Sequence, residues 1–372
     1  MVSVEGGLAF YVQIYEGNMK DSIRMMERLY RPESGFLYAI HVDEKLDRSK
    51  DEETIEAYRR FMRRWEYVEN VMMMPRRKVT YRGVSMVLST LEGISALLDA
   101  SDGWHHVINL SGSDYPLLDP RLLEPVVRDC RGGNRSFTRF DDYNVTRKTA
   151  LYMSNRYLIN WEDGALAGRD AADVKAYKSE GTTRAGNEGF WYMYRQPTFP
   201  IHKGSAWMIL SRDAARFVTQ SPESRWMIAF FSHTVSSPEL FFHTLLSQSD
   251  ELWPLVENVD MHYTNWKGTS QHPRVLTQTS DWDRIRKFGK MFARKVRARE
   301  SSELMDIIDE KLLWFPGDAD ANGTSSSITQ GQAPAWFENN LNNIRGSCGL
   351  EKSIDREAFR SGKRVYKFDV GA

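Results

Sequence analysis

The residues best suited to chemistry in this chain are one carboxylate, one pair of adjacent cations and two acids at strand ends. Glu239 follows Pro238 and precedes Phe241, Phe242 and His243, so it opens a helix beside apolar side chains. A carboxylate so placed can serve as a general base, or it can simply complement the positive end of the helix. Arg294 and Lys295 set a planar fork beside a point charge, enough to neutralise an anionic group directly. The bland alternative is a solvated basic stretch, since Arg297 and Arg299 follow. Asp43 ends the apolar run 36–42 (FLYAIHV), and Asp114 comes just after 105–110 (HHVINL). Each can meet a ligand beyond a strand end or merely order its turn. Asp281-Trp282-Asp283 has the spacing of a metal-binding Asp-x-Asp pair, but it reads as the acidic N-terminal cap of a helix over 282–290.

The elements that must position these groups follow from periodicity. Residues 8–14 (LAFYVQI) and 36–42 read as buried strands, 68–73 as a short one, and 105–110 and 205–210 (SAWMIL) as two more. Helical spacing occupies 19–30, about 51–65, 83–99, 211–219 and 238–247. Strands alternating with helices predict an α/β fold, a mostly parallel sheet flanked by helices on both faces. In such sheets ligands bind beyond the carboxyl ends of the strands, which puts a nucleotide site in the first half of the chain. Residues 135–200 lack a clean period and read as long loops over the binding face. The chain divides into one large domain over 1–300, a helical extension at 301–316, a flexible Gly- and Ser-rich linker at 317–335 and an appendix at 336–372.

Composition narrows the function. The 372 residues are 41% hydrophobic and 27% charged, ordinary for a chain that buries a large core. Lys+Arg and Asp+Glu are both 50, so nothing suggests a nucleic-acid partner. Aromatics reach 12%, with 11 Trp, which suits stacking on sugar rings and equally suits core filling. Cys130 and Cys348 either pair or stay free, and no cluster of Cys and His forms a metal site. Sequons at Asn134, Asn144 and Asn322 lie in polar stretches, whereas Asn109 lies in an apolar strand and is expected to be buried and unmodified. There is no Gly-x-Gly-x-x-Gly, no Walker loop, no signal peptide and no apolar run of membrane-spanning length.

The blocks IHVD (40–43), TYRGVSMV (80–87), INLSGSDYPL (108–117), GSAWMILSR (204–212), SSPELFFHT (236–244), YTNW (263–266) and MFARK (291–295) come in an order and spacing that resemble glycosyltransferase family 14. That family holds the core-2/I-branching N-acetylglucosaminyltransferases, the peptide O-xylosyltransferases and plant glucuronosyltransferases. The resemblance covers roughly residues 8–297 and is strongest to the plant-type branch. Xylosyltransferases carry an Asp where this chain has Ala206, which argues against xylosyl transfer to a serine; YTNW and MFARK are nonetheless shared with them.

The resemblance implies a GT-A-like, Rossmann-type single catalytic domain. It implies inverting transfer of glucuronic acid, N-acetylglucosamine or xylose from a UDP-sugar to a hydroxyl of a glycan or glycoprotein. No metal or other cofactor is expected. Alternatives are a peptide O-xylosyltransferase-like activity, or a catalytically silent glycan-binding protein on the same fold. By the same resemblance Glu239 is the base, Arg294 and Lys295 clamp the diphosphate, and Lys267 is a weaker phosphate candidate. Asp43 recognises the uracil with Val12 and Tyr81 nearby, Ser205 approaches the donor from a tight Gly-Ser turn, and Asp114 contacts the donor sugar or orders its loop. Trp266 stacks on the acceptor, and His243 is structural. Should the donor carry a carboxylate, Lys203, Arg212 or an Arg from 135–200 would meet it. The resemblance also implies a place in the Golgi lumen, as a type II membrane protein in full-length form, with the N-terminal anchor expected outside this sequence.

Overall fold

The structure, a computed structural model, describes residues 7–129, 133–140, 155–157, 159–176, 199–269, 272–313 and 342–344. Cys130, Cys348, Asn144, Asn322, the linker at 317–335 and nearly all of the appendix at 336–372 lie outside these residues. The chain runs through β1 (Leu8–Ile14), α1 (Met19–Leu29), β2 (Leu37–Val42), α2 (Glu52–Trp65), β3 (Val71–Met73), α3 (Val84–Ala100), β4 (His106–Ser111), β5 (Asp114–Pro116), α4 (Pro120–Asp129) and β6 (Ser136–Phe140). A small hairpin pairs β7 (Trp161–Glu162) with β8 (Lys175–Ala176). Then come β9 (Gly204–Ser211), α5 (Arg212–Gln220), α6 (Pro222–Phe231), α7 (Ser237–Leu246), β10 (Val256–Glu257), β11 (His262–Thr264), α8 (Gln278–Phe288), β12 (Phe292–Arg294) and α9 (Ser302–Lys311).

Seven strands form the central sheet in the order β10-β6-β9-β4-β1-β2-β3. The pairs β1–β2, β1–β4, β2–β3 and β6–β10 are parallel, and β9 runs antiparallel to both its neighbours. The mostly parallel sheet predicted from the alternating pattern is therefore present, with β9 as the reversed strand. Both faces are covered, so β1, β2 and β4 are buried almost throughout, polar Asn109 and His41 included.

Strand alternation sorts the core into two layers. Leu8, Phe10, Val12 and Ile14 of β1, with Tyr38, Ile40, Ile108 and Leu110, face α1, α2 and α9. Ala9 and Tyr11, with Leu37, Ala39 and Val107, face α3, α5, α6 and α7. Helix α3 lies close against β1 because Gly93 has no Cβ: one placed there would stand 2.0 Å from the Tyr11 ring. The Tyr11 hydroxyl also bonds Ser89 Oγ at 2.6 Å. Helix α9, within the expected extension, packs Leu304, Met305 and Ile308 into the first layer. Its Asp309 meets Arg24, Arg28 and the Tyr115 hydroxyl at 2.6–2.7 Å.

Helix ends are capped as their residue types require. Ser211 Oγ accepts from Ala214 N at 3.3 Å, and Ser221 Oγ from Ser224 N at 3.1 Å ahead of Pro222. Each such cap is worth about 1 kcal/mol. Among the described residues no helix is long and apolar enough to cross a membrane.

Candidate functional site

A three-stranded sheet β11-β12-β5 sits at the carboxyl end of β4. In it Arg294 stands opposite Asp114 in antiparallel register, with Thr264 on its other side. The Arg294 guanidinium lies 3.1 Å from Asp114 Oδ1, donates to Ser111 Oγ, and stacks 4.0 Å above the Trp207 ring. Asp114 is wholly buried and also accepts from Ser111 N at 2.6 Å. The fork is thus held from two sides at the strand end where phosphates are expected. Lys295 is next in the chain. Burial, then the charges of Arg294 and Arg297, pull its ammonium down to about 8.

Glu239 enters from the other side. Every residue of α7 is buried except Glu239, so the helix offers a single polar side chain outward. Pro238 sits in the first turn, and Glu239 N donates to Ser236 O at 2.9 Å. Ser236 is left-handed at φ 59°, and so is Arg82 at φ 62°, whose carbonyl accepts from Ser237 N at 3.1 Å. Two strained residues therefore meet where α3 and α7 begin, at a cost of about 1 kcal/mol each.

The carboxylate of Glu239 is not in the apolar setting that its sequence neighbours suggest. Arg156 Nη1 donates to Oε2 at 2.7 Å, and Lys203 Nζ lies 3.7 Å from the same oxygen. The apolar neighbours Phe241 and Phe242 turn inward, while the helical residues 155–157 bring the guanidinium across. Arg156 is 9% exposed, and no local sequence signal marked it out individually.

The two halves meet near Tyr81, whose hydroxyl feels the charges of both Glu239 and Arg294. Trp207, beneath Arg294, and Pro238, before Glu239, line the same small cavity. Tyr81 is partly exposed. Burial, then the charge of Glu239, pushes its hydroxyl up, while Arg82 and Arg294 act the opposite way. That hydroxyl pairs with His272 Nδ1 at 3.1 Å. His272 belongs to the described end of the segment after Trp266 and Lys267, both of which are exposed where the chain leaves β11.

Other expected site residues stand elsewhere. Val12 is wholly buried in the layer facing α1 and α2, because strand alternation turns it away from the α7 side, which its neighbour Gln13 reaches. Ser205 lies within β9, not in a tight turn, and its Oγ accepts from Trp207 N at 3.1 Å. Gly204 is required there because a Cβ would come 2.2 Å from Arg139 O and 2.4 Å from His243 Nε2. Asp43 is 4% exposed at the end of β2, and Lys45 N donates to its Oδ1 at 2.9 Å. Arg212 is at the far end of the sheet, on Asp102 at 2.5 Å, because β9 runs antiparallel. His243 is buried, with Nε2 2.8 Å from Thr138 Oγ1. Asn109 is buried as expected.

Helix α8 begins at Gln278, four residues before the predicted start, with Thr277 as its N-cap. Asp281 therefore lies inside the helix. It accepts from Thr277 N at 3.0 Å, Tyr263 Oη at 2.9 Å and Asn265 Nδ2 at 2.7 Å. Asp283 is exposed and pairs with Arg286 at 2.8 Å, so the two acids serve different surroundings. Among the described residues no three His, Cys, Asp or Glu side chains converge as a metal would require.

This chain is similar to known glycosyltransferases. The β-glucuronosyltransferases GlcAT14A and GlcAT14B of Arabidopsis thaliana are 30% and 28% identical to it, covering 83% and 82% of this chain. The chain spans 65% and 66% of those two proteins. Xylosyltransferase oxt of Drosophila melanogaster is 26% identical over 74% of this chain and 28% of its own length. The profile of the Core-2/I-Branching enzyme family matches residues 8–296, a span that holds Tyr81, Arg156, Glu239, Arg294 and Lys295 together, and the chain belongs to that family.

Proposed function

We propose that the chain catalyses inverting transfer of a sugar from a UDP-sugar to a hydroxyl of a glycan or glycoprotein, without a metal ion, in the Golgi lumen. The observation that supports the proposal is that Trp207, which carries Arg294, and Pro238, which precedes Glu239, wall one small cavity, while the Tyr81 hydroxyl feels the charges of both Glu239 and Arg294. Glucuronic acid is the donor sugar that the plant relatives' names suggest, and xylose the one that the insect relative's name suggests.

In this reading Arg294 and Lys295 neutralise the charge that grows on UDP as it leaves. Asp114 and Trp207 keep the Arg294 fork aimed, so the clamp needs no reorganisation during the reaction. The uridine extends along the strand ends toward Asp43, two strands and about 10 Å from β4. Glu239 removes the acceptor proton as its oxygen attacks the sugar carbon. The bond to UDP breaks on the opposite face, which inverts the configuration. Trp266, half-exposed beside the cleft, stacks on the acceptor, and Lys267 adds positive charge at the rim.

The test combines two measurements. UDP should bind equally well with and without EDTA. Glu239→Gln should lower turnover by at least about 10²-fold, the scale of general-base loss, with UDP affinity kept. A metal requirement or a fully active Gln variant sinks the mechanism. UDP binding without transfer from any UDP-sugar to galactan acceptors would identify a glycan-binding protein instead.

A further inference from the structure

Under the cleft, on the α3 and α7 side of the sheet, lies a cavity of about 10 Å³ walled by Gln13, Thr90, Asn109, Ala206, Trp207 and Pro238. That is room for one oxygen-sized group. The polarity of its wall is one-sided. Gln13 Nε2 donates to Thr90 Oγ1 at 2.8 Å and to the carbonyl of Met86 at 3.3 Å. The Thr90 hydroxyl donates to the same carbonyl at 2.9 Å. Asn109 Nδ2 donates to the carbonyl of Ala206 at 2.8 Å, which fixes the amide's orientation. Each of these donor atoms already has at least one acceptor. Asn109 Oδ1 is buried, belongs to a residue 4% exposed, and receives no hydrogen bond from any described residue. Asn109 lines the cavity, so a group that enters can satisfy this oxygen by bringing a proton to it.

The cavity's place gives that acceptor a use. Pro238 directly precedes Glu239, and Trp207 carries Arg294. A sugar held between a diphosphate on Arg294 and a base at Glu239 must cross the floor formed by Trp207 and Pro238. We infer that the cavity is a hydroxyl-selective subsite, taking one free hydroxyl of the transferred sugar, which donates to Asn109 Oδ1. A carboxylate has no proton to give and meets the π-face of Trp207. An acetamido group is too large for the space. The sugar position that faces Asn109 therefore carries a plain hydroxyl, neither N-acetylated nor oxidised to a carboxyl. This inference rests on the donor-site reading above.

The experiment is calorimetric binding of UDP, UDP-glucose, UDP-glucuronic acid and forms of both sugars lacking one hydroxyl each. A site built around a substrate hydroxyl rejects the analogue without it, because its own polar group is then left unpaired. One deoxy position should bind at least about tenfold more weakly than its parent. That penalty should vanish in Asn109→Ala, which removes the acceptor, and in Ala206→Val, which fills the space. UDP, having no sugar, should bind both variants as it binds the parent chain, which also reports on their folding. Deoxy forms that all bind like their parents, as they would with only water in the cavity, overturn the subsite. So does a penalty that survives Ala206→Val. If UDP itself fails to bind the unmodified chain, the donor-site reading fails first, and the two failures are distinct.

Discussion

Arg294 and Asp114 are cross-strand partners on β12 and β5, and the 3.1 Å ion pair between them is set by that antiparallel register. Their separation of 180 residues along the chain is closed by a backbone ladder, not by side-chain reach alone. Asp114 is wholly enclosed, so it cannot fall back on water if its partner is lost. Asp114→Ala should leave Arg294 and Ser111 N without their acceptor and cost about 3 kcal/mol. Urea unfolding measures this, and a change within experimental error would show that the pair is not what holds β5 to β12.

The same pairing makes a prediction about arginine chemistry. Arg294→Lys keeps one positive charge but loses the planar fork and the stack on Trp207. Arg294→Ala should weaken UDP binding by roughly 10- to 100-fold, the worth of one or two charge-assisted hydrogen bonds. The Lys variant should recover less than half of that free energy. Full recovery by Lys would mean that charge alone matters and that the fork geometry does not.

Lys295 supplies the pH dependence. Its ammonium is lowered to about 8 in the free protein, so it is cationic at pH 7 and loses charge as pH rises through 8. A bound diphosphate favours the charged form and raises that value, so binding takes up a proton above pH 8. UDP affinity should be flat near pH 7 and fall above 8, by at most tenfold per unit. Lys295→Arg, charged throughout, should flatten the profile between pH 7 and 9. A wild-type profile already flat over that range would place Lys295 outside the clamp.

Arg156 holds Oε2 of Glu239 and leaves Oε1 as the oxygen that can face an acceptor. Removing it should let the carboxylate swing toward Lys203. Arg156→Ala should lower kcat by roughly tenfold or more while the donor KM changes little, because misplacing a reacting group costs rate more than binding. Arg156→Lys should restore part of kcat. A loss confined to KM would reassign Arg156 to substrate binding.

Gly204 tests the packing under the site. A Cβ there would press on Arg139 O and the ring of His243, neither of which can retreat without moving β6 or α7. Gly204→Ala should destabilise by about 1–3 kcal/mol as overpacking does, read as a lower melting temperature.

The strands were legible because apolar runs such as FLYAIHV have only one buried, extended reading beside Asp43. The helix start at Glu239 was legible because Pro238 marks it, and the structure adds that Glu239 is the single unburied position of α7. Val12 was misplaced because both faces of β1 are apolar, so alternation does not reveal which face lies toward the cleft. Arg212 was considered for the donor because a one-dimensional reading does not show β9 reversed, with Lys203 and Arg212 at opposite ends of the sheet. The start of α8 was misread because Asp281 looks like a cap in sequence, whereas Thr277, lacking a side-chain cap bond, holds that position and Asp281 bonds back to its N–H.

By itself the sequence determined which residue types were present in which order: a lone carboxylate opening an apolar helix, two adjacent cations, and strands whose apolar runs had to be buried. Those are local properties, governed by periodicity and propensity. Only tertiary structure decided what each polar group meets: Arg294 with Asp114 and Trp207, Glu239 with Arg156 and Lys203, and Asn109, with a buried acceptor left unbonded among the described residues, at the wall of the small cavity. The reason is physical. Electrostatic and hydrogen-bond partners act over a few ångströms, and those distances exist only after the sheet has brought segments far apart in sequence together.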